Sequence, residues 1–313
     1  MTHLERSIIC PDYYLVGKSK GGGVRMTELR KGQQIGNFVV NSNIGYGGYA
    51  QVYDGKTLNG RKAVLKIIHE HLVGSNTGGV QNDVQSFVTG REIAKELGDG
   101  VNFPLFFDSG DQPRPYFIME LIPGDNLDKV LVCNPKLYFA EAIRIGHRCA
   151  EAYGVMHTKG IVHGDIKLDN IVYQRSKSLR VLDFDTAFKC RVVNCGGKGV
   201  LVPQDPIIHV VGTSPYFSPE ALNCRLNNYS DVWGVGSIMY EILSGRAPFS
   251  GNDLFDLARK ILTEEPVRLD IDPILEEMVM QCLRKDWNYR PDFKTLEIGL
   301  AGYMKEKGIM SLS

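Results

Sequence analysis

A chain of 313 residues with 43% apolar and 23% charged residues, 34 Gly and 14 Pro is too apolar for a disordered tail and too long for a disulfide miniprotein. Its 36 Lys and Arg balance 36 Asp and Glu, so no global field recruits nucleic acid or an anionic membrane, and any anion site has to be built locally. At about 150 residues per domain the length accommodates two lobes, each able to bury a core.

The first 36 residues are turn-rich, with Gly21-Gly22-Gly23 and one short strand candidate over 13–16; residues 1–35 read as an extension. From Phe38 the runs F-V-V, Q-V-Y and A-V-L-K-I-I are separated by glycine turns near 45–48 and at Asn59-Gly60, which predicts an antiparallel meander. The stretch 70–83, with G-S-N-T-G-G, reads as a flexible loop. Residues 84–97 place apolar side chains at 84, 87, 88, 93, 94 and 97, an imperfect helical stripe, and strands are expected over 103–108 and 116–121. After Pro123-Gly124 the apolar period lengthens to about 3.6 residues, predicting helices over 138–159, 229–244, 253–263, 274–283 and 293–306. The organisation expected is a β-rich lobe over 36–121, a helical lobe over 122–306 and a tail over 307–313, with a ligand in a cleft between the lobes.

The nearly apolar stretch 232–243 is too short to cross a bilayer, and residues 1–10 lack the apolar core of a secretory signal, so a cytoplasmic protein with no membrane partner is expected. Seven cysteines, odd in number and mostly scattered, suit reduced thiols, with Cys190 and Cys195 as free loop thiols rather than half of a zinc site. His69 and His71 have no third ligand in view and read as solvated loop histidines.

The run Ile44-Gly45-Tyr46-Gly47-Gly48-Tyr49-Ala50-Gln51-Val52 lies between two strand signals and fits G-x-G-x-x-A-x-V. Glycines there let main-chain N–H groups approach phosphate oxygens, although a plain glycine-rich hairpin has the same look. Lys66 sits inside an apolar strand, which calls for a fixed anionic partner; Glu92 on the following helix is the first candidate and Glu96, one turn on, its rival. The run His163-Gly164-Asp165-Ile166-Lys167-Leu168-Asp169-Asn170 precedes the strand Ile171-Val172-Tyr173, and Val181-Leu182-Asp183-Phe184-Asp185 follows. Asp183 and Asn170 offer oxygen ligands for a hard cation, Asp165 can accept a proton from an attacking hydroxyl, and Lys167 can neutralise a phosphoryl group.

In this order the pieces resemble a eukaryotic-type serine/threonine protein kinase domain over residues 36–306. Further matches are Gly212-Thr213-Ser214-Pro215-Tyr216-Phe217-Ser218-Pro219-Glu220, the helix start Asp231-Val232-Trp233-Gly234-Val235-Gly236, and Arg290 as the partner of Glu220. The resemblance implies an α+β, two-lobed fold with a small β-rich N-lobe and a larger, mainly helical C-lobe. It implies ATP and Mg²⁺, with Mn²⁺ as an alternative, a protein substrate, and no nucleic acid beyond the nucleotide. Carried over by residue, Ile44, Gly45, Gly47 and Gly48 form the phosphate loop. Lys66 binds the α- and β-phosphates, held by Glu92; Asp165 is the base, with Lys167 beside it; Asn170 and Asp183 hold the metal. Met119 guards the back of the nucleotide pocket, Glu120, Leu121 and Ile122 form the hinge, and Val52, Val64 and Val172 close on the adenine. Lys167 and Thr213 are the forms seen in kinases for serine and threonine.

Some residues depart from the pattern. Gly164 replaces the arginine that often precedes the base, which makes this a non-RD variant and predicts activity without a phosphate on the segment between Asp183 and Glu220. Asp185 stands where a glycine is usual and is expected to take the left-handed turn itself. Ala50 replaces the third loop glycine, and Val64 a smaller alanine. Two alternatives stay open, a nucleotide-binding pseudokinase scaffold and a small-molecule phosphotransferase of the aminoglycoside and choline kinase type.

Overall fold

A computed structural model of the chain describes residues 28–73, 78–133, 139–174, 178–204 and 214–310. The strand expected over 13–16, the run Gly21-Gly22-Gly23, most of the extension, Cys10, Thr213 and the end of the tail lie outside the described residues. The fold is α+β, and the described residues form two compact units, 28–123 with 182–187 and 124–181 with 188–310.

The first unit is an antiparallel sheet of β1 (Gln34–Ile35), β2 (Phe38–Tyr46), β3 (Ala50–Thr57), β4 (Lys62–Ile68), β5 (Phe106–Gly110) and β6 (Tyr116–Glu120), in the order β1-β2-β3-β4-β6-β5. Strand β4 is buried on both faces, which is why it reads as a continuous apolar run. Ala63, Leu65 and Ile67 share one face with Phe38, Val40, Tyr53 and Ile118. Val64, Lys66 and Ile68 share the other, where Lys66 lies in register with Val52 and Phe117. Helix α1 (Gly78–Leu97) covers that second face, its Phe87 ring 5.5 Å from Phe117.

Two boundaries move from those expected. Helix α1 begins at Gly78, so part of the stretch read as a loop is helical, and Glu70–Leu72 forms a 3-10 turn. The polar residues Gln81 and Asn82 hid the start of the helix, because a stripe of apolar side chains cannot show where none are present. Strand β5 starts at Phe106 rather than at Phe103. The Asp99 carboxylate accepts from the backbone N–H groups of Val101, Asn102 and Phe103 and holds them in a turn that buries the Phe103 ring.

The second unit runs through α2 (Leu127–Cys133), α3 (Phe139–Thr158), β7 (Ile161–Val162), β8 (Ile171–Gln174), β9 (Ser178–Val181), β10 (Phe188–Cys195), β11 (Lys198–Pro203), α4 (Asn228–Ser244), α5 (Leu254–Thr263), α6 (Pro273–Cys282) and α7 (Phe293–Glu306). Helix α4 is its axis and is buried nearly throughout, with α3 and α6 packed against it. A capping box of Asn227 and Ser230 starts α4, and Gly245 at φ +77° ends it. Asp253, Asp272 and Asp292 cap α5, α6 and α7. No helix among the described residues is long and apolar enough to cross a membrane.

In the segment between Asp183 and Glu220, β10 and β11 form a hairpin, and β10 also pairs with β7. Its two-residue turn is Gly196-Gly197, both at positive φ, as a tight hairpin requires. Cys190 and Cys195 are therefore strand residues, not loop thiols. Five positions apart, they point to opposite faces of β10 and cannot share a metal ion.

Candidate active site

Lys66 is buried in the middle of β4, and its Nζ lies 2.6 Å from Asp183 and 2.7 Å from Asp185. Burial alone would lower the pKa of this ammonium; the two carboxylates outweigh it and push the pKa up, so Lys66 is a firmly held cation. Asp183 has φ +61°, so the left-handed position falls on Asp183 and not on Asp185 as expected. An aspartate tolerates that region better than most residues, at a cost of about 1 kcal/mol. The Asp185 side chain is left to turn onto the ammonium.

The expected ion pair of Lys66 with Glu92 is not formed. Glu92 is 56% exposed and accepts from Arg91 Nε at 3.2 Å. Helical phase gives the reason. Phe87, Gly90, Ala94 and Leu97 form the buried stripe of α1, and Glu92 lies on the opposite side, as does Glu96. Gly90 permits close contact with the Asp183–Asp185 turn, since a Cβ there would stand 2.7 Å from the Phe184 carbonyl oxygen. The acidic residue on the inner stripe is Asp83, one turn before Phe87.

The glycine loop joins β2 to β3. Asn43 Oδ1 accepts from Gly45 N at 3.1 Å, and Gly47 N donates to Ala50 O at 2.8 Å, which closes the turn over Gly47 and Gly48. Val52 and Val64 lie on adjacent strands, and Val64 pairs with Met119. Ile44 is exposed. Glu120 is fixed at both main chain and side chain, its N–H donating to Leu105 O and its Oε2 accepting from Leu105 N. Ile122 is half-buried just beyond.

In the second unit, Asp165 follows β7 in a loop suspended from α4. The buried Asp231 carboxylate, 1% exposed, accepts from His163 N at 2.9 Å, Gly164 N at 3.0 Å and His157 Nε2 at 2.9 Å. Gly164 sits at φ +77°, a conformation that an arginine would adopt only with strain. Lys167 Nζ lies 2.5 Å from Asp165 Oδ2, and Asn170 Nδ2 donates to Asp165 O at 2.9 Å. Val172 is buried on β8 and bridges to Asn126.

The side chains assigned to a cation fit a hard ion. Asn170 uses its amide nitrogen on Asp165, so the atom it can offer is an oxygen, and Asp183 keeps 42% of its side chain exposed while Oδ1 holds Lys66. Glu220 and Arg290, the pair that the resemblance implies, are joined by two bonds of 2.5 and 3.0 Å and fully buried at the arginine. Tyr216 donates to Glu241 at 2.8 Å; burial first, then Glu241 itself, holds that phenol protonated.

Residues 38–297 match the family model described as protein kinase domain. The chain is 26% identical over 264 residues to the serine/threonine-protein kinase PKH3 of Eremothecium gossypii, covering 81% of this chain and 35% of that one. It is 28% identical over 258 residues to the serine/threonine-protein kinase PknB of Mycolicibacterium smegmatis, covering 78% and 39%. With the serine/threonine-protein kinase pkn2 of Myxococcus xanthus it shares 31% identity over 273 residues, covering 82% and 31%. The chain thus spans 31% to 39% of the length of these relatives.

Proposed function

The chain belongs to the protein kinase domain family, and from that premise we propose that it transfers the γ-phosphoryl group of ATP to a serine or threonine hydroxyl of a protein substrate. The observation that carries this reading is the set of contacts around Asp165, whose carboxylate is held by Lys167 and whose main-chain carbonyl is held by Asn170, in a loop fixed to α4. Such a carboxylate accepts the hydroxyl proton as the oxygen attacks the γ-phosphorus; the bond to the β–γ bridging oxygen breaks and ADP leaves. Lys167 offsets charge on the transferred group, while Lys66 and the glycine loop position the phosphates. Asn170 and Asp183 would hold Mg²⁺, or Mn²⁺, which supplies charge neutralisation when bound.

Met119, Glu120, Ile122, Val52, Val64 and Val172 are assigned to the adenine within the same reading. So are the domain limits 36–121 and 122–306. On α1, the helical phase makes Asp83, rather than Glu92, the acidic residue on the buried side of the helix. Gly164 supports activity without a phosphate on the following segment, since the arginine that would read such a phosphate is absent.

The two carboxylates on Lys66 favour a second reading, a scaffold that binds nucleotide with little turnover. One assay separates the possibilities. The protein is incubated with γ-labelled ATP and Mg²⁺ in the presence of a generic basic protein and a small aminoglycoside. Label on serine or threonine of the protein is expected. Label on the aminoglycoside contradicts the proposal, and nucleotide binding without any transfer supports the scaffold.

A further inference from the structure

His69, read from the sequence as a solvated loop histidine, is 3% exposed and packed behind the glycine loop. It lies at the end of β4, beside the root of β3. Its backbone N–H donates to Tyr49 O at 2.9 Å, and its ring Nε2 lies 2.9 Å from Gly47 O. A carbonyl only accepts, so Nε2 carries the proton and the ring is the Nε2–H tautomer. The other nitrogen, Nδ1, is buried without a hydrogen-bond partner. One residue therefore holds two carbonyls of a turn that contains Gly47 and Gly48, residues with no side chain to restrict the backbone.

We propose that His69 is a positioning residue for the glycine loop, clamping the Gly47 and Tyr49 carbonyls so that the loop keeps the shape in which its amides meet a triphosphate. This rests on the reading of that loop as the phosphate loop. With both carbonyls turned back onto His69, the peptide units of the turn are fixed without any side chain reaching into the space a phosphate needs. Neither glycine can do this for itself.

The clamp is sensitive to protons. His71, its ring stacked 5.3 Å from that of His69, and Arg114, on the loop before β6, face it; Glu70 stands beside Arg114, and Gln51 on β3 accepts from Arg114. Burial, then the charges of His71 and Arg114, hold the His69 pKa below its ordinary value despite the bond to Gly47. A ring swung into water titrates near 6.5. As pH falls through about 6.5, the released form therefore binds protons better than the clamped form, and the clamp weakens.

The test compares the parent with His69→Leu, which keeps bulk but loses the donor, and His69→Gln, whose amide nitrogen can donate but does not titrate. Amide hydrogen exchange without nucleotide at pH 7.5 is expected to be about five-fold faster over residues 48–51 in His69→Leu, the size of one lost hydrogen bond, and close to the parent in His69→Gln. KM for ATP should rise about five-fold in His69→Leu, by more than kcat falls, and His69→Gln should restore it and remove the rise seen in the parent between pH 7.5 and 5.5. Should His69→Leu fail to fold, the flat pH profile of His69→Gln carries the test. Exchange in a folded His69→Leu equal to that of the parent overturns the proposal, as does faster exchange with an unchanged KM. A parent that binds no ATP contradicts the kinase reading instead, and the exchange comparison still decides the clamp.

Discussion

Lys66 Nζ lies 2.7 Å from Asp185, a second carboxylate on an ammonium that Asp183 already holds at 2.6 Å. In the proposed reaction this lysine serves phosphates, and here it is shared between two acids. Asp185→Asn removes one of them, and ATP affinity is expected to rise about ten-fold, as for one charged hydrogen bond of roughly 1.5 kcal/mol. Titration calorimetry reads this directly. A fall in affinity would mean that Asp185 assists nucleotide binding rather than competing with it.

The phase of α1 makes a prediction about which acid matters. Glu92→Gln changes an exposed side chain and should leave stability within about 0.5 kcal/mol and kcat/KM unaltered. Asp83→Asn, on the inner stripe, should lower kcat/KM about ten-fold. Steady-state kinetics of the two variants, prepared together, decides between them; the reverse order would return the role to Glu92.

Much of this architecture was legible because a strong physical constraint wrote it into residue type. β4 reads as a strand since both its faces are covered, and Lys66 stands out because a cation inside such a run needs an anion. Asp165, Asn170 and Asp183 were singled out by residue type and spacing, and their roles rest on the proposed reaction. What escaped depends on orientation. Glu92 and Asp83 are the same kind of side chain on the same helix, separated by half a turn of phase that an imperfect apolar stripe does not resolve. The hairpin of β10 and β11 was hidden by its mixed polar and apolar strands, although Gly196-Gly197 is a turn signal in its own right. His69 looked solvated because the hydrogen bonds that hold it go to backbone carbonyls, which leave no trace in residue identity.

Asp231 illustrates how far the catalytic loop depends on α4. Its carboxylate serves two backbone N–H groups and His157, so Asp231→Ala leaves buried donors unsatisfied. The expected cost is about 2–4 kcal/mol of stability. Denaturant melts should show it, with turnover falling further than the loss of folded protein explains.

Lys285 predicts a pH effect away from the site. Its Nζ is buried without a hydrogen-bond partner, 4.0 Å from the Phe249 ring and 5.1 Å from Trp233. Burial, with Arg290 nearby, lowers its pKa to about 8 against the pull of Glu265. The unfolded chain, with an ordinary lysine near 10.4, binds more protons between these values, so stability from this group rises with pH from about 8 to 10.4. Lys285→Met should therefore raise Tm at pH 7, and the gain should shrink as pH rises through that window. A gain independent of pH would show that packing, not charge, is responsible.

The most direct measurement sets Asp165→Ala against Lys66→Met, with turnover and nucleotide affinity determined on each. Asp165→Ala is expected to lower turnover by about 10²–10⁴-fold and leave ATP affinity close to that of the parent, as for a lost general base. Lys66→Met should weaken ATP binding, with a stability loss of about 3 kcal/mol from two carboxylates left without their cation. Transfer to protein at the parent rate by Asp165→Ala would contradict the account.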